Sequence, residues 1–311
     1  MASSDTLASA DVRISLDLSA PEPYSLVRLP DGRALSYLEV GVSSGPAVFH
    51  FHGHGSSRLE ALMLKEQALK LGVRVIAFDR PGIGRSDPKS GDMLLDWPGD
   101  IAAAADLLGI DHFAVQGMSA GAPYALACAH RMSERITACS LVSAVPPPEI
   151  ARRSGPRLRR FAWWVAHRFP NYLRRRLEQF RPDGLPDEEM VRSRMLRVSQ
   201  WLGGQDEILM HDAELRALLE RTMIETQRQG ASANRREIER LVRPWGFDVR
   251  QIKPARMFLW HGEKDRIMPI GPARLLAKRL VDCRAVFYPD EGHFSVLVNR
   301  SGELLNVLNL S

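Results

Sequence analysis

Three residues in this chain have the types and the placement for nucleophilic chemistry: Ser119, Asp265 and His293. A serine hydroxyl is a poor nucleophile until a base takes its proton, and the base works best when a carboxylate orients it. Ser119 lies in Gly117-Met118-Ser119-Ala120-Gly121, a G-x-S-x-G run. Taken alone, such a run is equally a glycine-rich turn with an incidental serine. Its surroundings favour the chemical reading. His112 to Gln116 reads as extended chain, and Pro123 to Ala129 is rich in Ala and Leu, which favour helix. A serine at so tight a strand-to-helix turn is a nucleophile elbow. It takes strained dihedrals, and a Cβ on either flanking glycine would clash. The helix N-terminus beneath it favours negative charge next to the hydroxyl.

The elements that must position these residues alternate. Tyr24–Leu29 and Ala34–Val40 read as a hairpin joined by Pro30-Asp31-Gly32-Arg33. Pro46–Phe51 is a short apolar strand that runs into His52-Gly53-His54-Gly55. A helix from about Leu59 to Leu71, opened by Ser57 and closed by Gly72, leads to a strand over Val73–Phe78. Asp79-Arg80-Pro81-Gly82-Ile83-Gly84-Arg85-Ser86 follows as a loop, then a helix over Gly99–Leu108. Further strands are read at Arg135–Ser143, Ala255–Trp260 and Ala285–Tyr288, with a helix over Pro272–Leu280 and a closing apolar helix. This predicts an α/β fold: a doubly wound, mostly parallel sheet with helices on both faces. In such sheets ligands meet the carboxyl ends of the strands. The His52-Gly53 loop, Asp79, Ser119, Asp265 and His293 all follow strands directly, so they share one edge.

Residues 146–247 differ in character. They hold 20 Arg, no Lys and 14 acidic residues, so the whole positive excess of the chain lies here. Four of the six Trp are here too: Trp163, Trp164, Trp201 and Trp245. The predicted organisation is a loosely ordered tail over 1–23, a core domain over 24–145 and 248–311, and a helical cap over 146–247. A cap at this point covers the strand ends and shapes a pocket. Trp163, Trp164 and Trp201 are its candidate substrate-binding residues. The arginines read as a solvated face paired with Glu at helical spacing. A polyanion-binding role would need a nucleic-acid motif beside the charge, and the segment has none.

Of 311 residues, 45% are hydrophobic and 25% charged, an ordinary globular composition. No apolar run approaches the ~20 residues of a membrane helix. Met1-Ala2-Ser3-Ser4-Asp5 lacks the charged and apolar regions of a leader, so none is expected. Cys128, Cys139 and Cys283 are scattered among apolar neighbours and read as buried thiols of a reducing, cytoplasmic compartment. His50, His52 and His54 alternate as metal ligands on a strand might, but Gly53 and Gly55 end the strand and no carboxylate is interleaved. No metal or cofactor is expected. His112, His130, His167, His211 and His261 read as structural or surface residues. Asp290 and Glu291 adjoin His293 but, on its own loop, are poorly placed to accept from its ring.

Jointly the motifs resemble those of the lid-bearing serine-hydrolase branch of the α/β-hydrolase superfamily. They are His52-Gly53, the D-R-P-G-x-G-x-S loop Asp79–Ser86, the elbow Gly117–Gly121, Gly262-x-x-Asp265 and Gly292-His293-Phe294. The order Ser119, Asp265, His293 is the order such a triad takes. The likeness covers roughly 24–145 and 247 to the C-terminus; the cap carries no motif. It implies Ser119 as nucleophile, His293 as base and then acid, and Asp265 as its orienting partner. It further implies an oxyanion hole from the backbone amides of His54 and Ala120. Relatives that open epoxides or remove halides carry aspartate at the nucleophile position, and Ser119 excludes those chemistries. The expected activity is hydrolysis of a small-molecule carboxylic ester, thioester or lactone through an acyl-enzyme. Amide or carbon–carbon bond hydrolysis, or a receptor-like binder with little turnover, would use the same constellation.

Overall fold

The computed structural model describes residues 24–91, 93–154, 157, 161, 164, 165, 168, 169, 188–230, 232–254 and 256–309. The expected N-terminal tail and Trp163 lie outside the described residues. The first strands are β1 (Ser25–Arg28), β2 (Ala34–Gly41) and β3 (Ala47–Phe51). A 3₁₀ segment, Arg58–Leu64, precedes α1 (Lys65–Leu71) and β4 (Arg74–Phe78). Ser57 caps the 3₁₀ segment by accepting from the Leu59 amide, and Gly72 ends α1 in the left-handed conformation. Next come α2 (Trp97–Leu107), β5 (Phe113–Met118), α3 (Ala122–Arg131) and β6 (Ile136–Val142). Between β6 and the next strand the described chain is helical. It comprises α4 (Pro148–Arg153), α5 (Glu188–Ser199), α6 (Gln205–Leu209), α7 (Ala213–Glu225) and α8 (Ser232–Val242). The chain then returns to β7 (Met257–Gly262), α9 (Ile270–Ala277), β8 (Cys283–Tyr288), α10 (Ser295–Asn299) and α11 (Ser301–Asn306).

The eight strands form one sheet in the order β1-β2-β4-β3-β5-β6-β7-β8. The first two pairings are antiparallel and the rest parallel. The predicted hairpin and doubly wound sheet are therefore present, with helices inserted after β6. Order reverses around β3, so β3 and β5 run side by side and their carboxyl ends adjoin.

The strands pack on both faces. Phe49, Phe51, Ile76, Phe78, Val115 and Leu259 join α2 and α3 in one apolar cluster. Val48, Val75, Ala77, Ala114 and Trp260 join α1, α10 and α11 in the other. This period of two sends alternate residues of each strand to opposite layers. The second cluster continues into the inserted helices through Met195, Met210, Leu215 and Leu218. Trp245, by contrast, is buried in the first cluster with Phe247, Val249 and Ile252.

Candidate active site

β5 ends at Met118, and the next residue, Ser119, has φ 51°. This left-handed conformation costs a side-chain-bearing residue about 1–2 kcal/mol, so the surroundings must impose it. Two glycines do so. A Cβ on Gly121 would run into the Phe51 carbonyl at the end of β3, and one on Gly117 into the Gly121–Ala122 backbone. The elbow is thus wedged between its own helix and the neighbouring strand. Ser119 is buried, its carbonyl accepts from the Val145 amide at 3.0 Å, and Ala120 follows it at the start of the turn into α3.

The loop after β3 faces this elbow. A Cβ on Gly53 would lie 3.5 Å from that of Ser119. The Gly53 amide donates to both oxygens of buried Glu60, each at 3.2 Å, and Glu60 also accepts from His50 Nε2 at 2.9 Å if that nitrogen carries the proton. Arg80 donates to the carbonyls of His52 (2.6 Å) and Gly53 (3.3 Å). It also pairs at 2.6 Å with Glu237 of α8, whose second oxygen lies 2.7 Å from His54 Nδ1. Burial would raise the Glu237 carboxyl, but Arg80 and His54 outweigh it and hold it well below the usual carboxylate range. The three alternating histidines therefore point to separate partners: His50 to Gln116 and Glu60, His52 to the Gly53 carbonyl, His54 to Glu237. Burial, followed by the charge of Arg80, pushes His52 down to about 3, so it stays neutral.

Asp265 and His293 meet after β7 and β8. Asp265 Oδ2 lies 2.8 Å from His293 Nδ1, and Oδ1 accepts the Met268 amide at 2.6 Å. Both residues are buried. That geometry places the proton on Nδ1 and leaves Nε2 as the ring's basic nitrogen. Burial pushes the His293 imidazole down, but the Asp265 charge and hydrogen bond, then Asp206 and Glu60, more than offset it, and its pKa is raised. His261 is also close, 3.7 Å from Asp265 Oδ2, but its Nε2 is engaged with the Met268 carbonyl at 2.7 Å. Glu291 pairs with Arg300 and Asn299, away from the ring of its neighbour. Asp79 accepts from the side chain of Arg58 (2.6 Å) and from the backbone amide of Arg85 (3.2 Å).

A family model described as the alpha/beta hydrolase family matches residues 47–306. This chain is a member of the alpha/beta hydrolase family. Two curated relatives are similar over part of their length. A bifunctional esterase/perhydrolase from Acinetobacter calcoaceticus is 33% identical over 134 residues, and a non-heme chloroperoxidase from Streptomyces lividans is 36% identical over 135. Each match covers 42% of this chain and 48% of the relative, so the chain spans about half the length of the curated relatives it matches. Among solved structures, an esterase from Exiguobacterium antarcticum superposes with TM-score 0.70 at 17% identity, covering 92% of this chain and 99% of that one. An enol-lactonase from Burkholderia xenovorans LB400 does so with TM-score 0.63 at 19% identity, covering 92% and 98%. At such identities these two likenesses speak for the fold.

In this alpha/beta hydrolase the inserted helices reach the site. Leu241 of α8 clusters with Ala120, Val145 and Met268, an apolar group beside the elbow. Of the tryptophans singled out from the sequence, Trp163 lies outside the described residues. Trp164 is half exposed and stacks on Phe161 at 5.8 Å, and Trp201 is half exposed, its carbonyl accepting from Arg266 at 3.1 Å. Glu60, Arg80, Ser143, Asp206 and Glu237 were not found from the sequence. Ser143, Asp206 and Glu237 meet partners far away along the chain, Glu60 folds back on His50 and Gly53, and the loop motif that contains Arg80 gives no sign of its bond to Glu237.

Proposed function

We propose that this protein is a serine hydrolase of small carboxylic esters, thioesters or lactones. The observation that carries the reading is the 2.8 Å contact between Asp265 and His293 on the sheet edge where Ser119 is held in its left-handed elbow. Ser119 Oγ attacks the carbonyl carbon while His293 Nε2 takes its proton. The oxyanion forms against the backbone amides of Ala120 and His54, each such donor contributing about 3 kcal/mol to the transition state. His293 gives the proton to the departing alcohol, leaving Ser119 acylated. Water, deprotonated by the same ring, then releases the acid. Asp265 holds the tautomer and stabilises the imidazolium. Leu241, Val145 and Met268 offer the acyl or alcohol part an apolar wall. The name of one curated relative, a bifunctional esterase/perhydrolase, supports a carboxylic ester over an amide. Cys128, Cys139 and Cys283 are all free, which suits a reducing compartment such as the cytoplasm.

The test is a panel of p-nitrophenyl esters of rising chain length, run with Ser119→Ala alongside. Wild-type turnover that falls by about 10⁴-fold or more in the variant is the expected result. Turnover that survives in the variant would exclude Ser119, and absence of both turnover and fluorophosphonate labelling at Ser119 would sink the hydrolase reading.

A further inference from the structure

The ring of His293 is held by Asp265, but its backbone is held by two other side chains. Ser143, at the end of β6, has φ 46° and donates its hydroxyl to the His293 carbonyl at 2.9 Å. Asp206, on α6 of the inserted segment, takes the amide side. Its Oδ2 accepts from His293 N at 2.5 Å, and its Oδ1 from Phe294 N at 2.9 Å and Ser295 N at 2.8 Å. Three backbone donors thus converge on one carboxylate that is 1% exposed. A buried carboxylate is stable only where such donors replace its water shell. The approach depends on Gly292, where a Cβ would run into the Asp206 carboxyl group. A second tie, from Gln205 N to the Asp290 carbonyl at 3.0 Å, fixes the same helix to the same loop.

We propose that Asp206 is a positioning residue for the general base: a carboxylate of the inserted helical segment that sets the backbone of His293. The proposal rests on reading His293 as the base. Its consequence is that the inserted segment is part of the catalytic apparatus as well as a cover over it. When α6 is docked, the His293 loop is locked between Asp206 and Ser143; when it is not, three amides lose their acceptor. The carboxylate also acts on the ring through space. The ionisable groups that face His293 are Asp265, Asp206, Glu60 and His261, and Asp206 is among those that favour the protonated ring.

The variant Asp206→Asn keeps the shape and removes the charge. The expected result has two parts. kcat on a p-nitrophenyl ester falls about ten- to a hundredfold with KM little changed, as a displaced base loses rate rather than binding. The His293 ring, followed by NMR, titrates at lower pH, and the acid limb of the kcat/KM profile moves with it. Gly292→Ala, which displaces the carboxylate sterically, is expected to give the same pair of changes should Asp206→Asn not fold. A ring titration that does not move, or an unchanged kcat, overturns the proposal even if the melting temperature drops. Failure of the underlying reading looks different: the wild type would then show neither turnover nor labelling at Ser119, while the ring titration would still respond to Asp206.

Discussion

In the proposed mechanism, His293 is where activity and stability pull in opposite directions with pH. Its pKa is raised in the fold, with the opposing effect of burial outweighed by Asp265, Asp206 and Glu60. A base must be neutral to act, so kcat/KM is expected to fall as pH drops through a value above the usual 6.5 of imidazole. The stability linked to the same group runs the other way. It is fully present below pH 6.5 and lost as pH rises through the folded value, because the fold prefers the protonated ring. Asp265→Asn removes the orienting charge and presents a donor where an acceptor stood. Its expected effect is about a 10⁴-fold lower kcat, with the acid limb shifted to lower pH. A pH–rate profile of the two proteins checks both, and an Asn variant of near wild-type rate would remove Asp265 from the mechanism.

At the scale of the element, the elbow is a packing solution. Its strained serine persists because β3, β5 and α3 leave room there only for glycine. Gly121→Ala is therefore expected to cost at least about 3 kcal/mol, since the added methyl meets backbone of β3 that cannot step aside. Urea unfolding measures this, and a loss below about 1 kcal/mol would mean that the elbow relaxes. This part of the molecule was legible in the sequence because it is local. A glycine at each flank, an apolar run before and a helix-forming run after fix the turn within about fifteen residues. The proposed triad was picked out for a related reason: each of Ser119, Asp265 and His293 lies on a loop after a strand, and the parallel order puts those loops on one edge of the sheet. The residues that tune it were not legible. Glu60 is one acidic residue in a helical turn until its oxygens are seen on the Gly53 amide. Asp206 and Glu237 are two of fourteen acidic residues in the segment 146–247, which the chain composition reads as a solvated, charge-paired surface. Both are in fact buried, because the partners that neutralise them come from the core. The tryptophans of the segment share no single environment: Trp245 is packed in the main apolar cluster, while Trp164 and Trp201, two of the candidate substrate-binding residues, are half exposed.

For the whole molecule the question is what fastens the inserted helices to the sheet. Apolar continuity is one answer, since Met210, Leu215 and Leu218 share a cluster with β3, β4 and β7. Charge is the other, through the buried pair of Arg80 with Glu237 and through a cluster around Arg58. The Arg58 guanidinium is fully buried and lies 2.6 Å from both Asp79, at the end of β4, and Glu225, at the end of α7. Arg228 binds the other oxygen of Glu225 at 2.7 Å. Surface pairs of this kind are worth under about 1 kcal/mol, but removing one member of a buried set strands the charge that remains. Arg58→Met is therefore expected to cost about 3–5 kcal/mol in urea unfolding, by leaving Asp79 and Glu225 facing each other in the protein interior. Glu225→Gln should cost less, because Arg58 keeps Asp79. The double variant should lose less than the sum of the two, since each substitution removes the charge that makes the other costly. Added salt should change these differences little, because the groups are shielded from mobile ions by burial. Strict additivity, or a loss that vanishes in salt, would show that the Arg58 cluster contributes no more than a surface pair does to holding the inserted helices on the sheet.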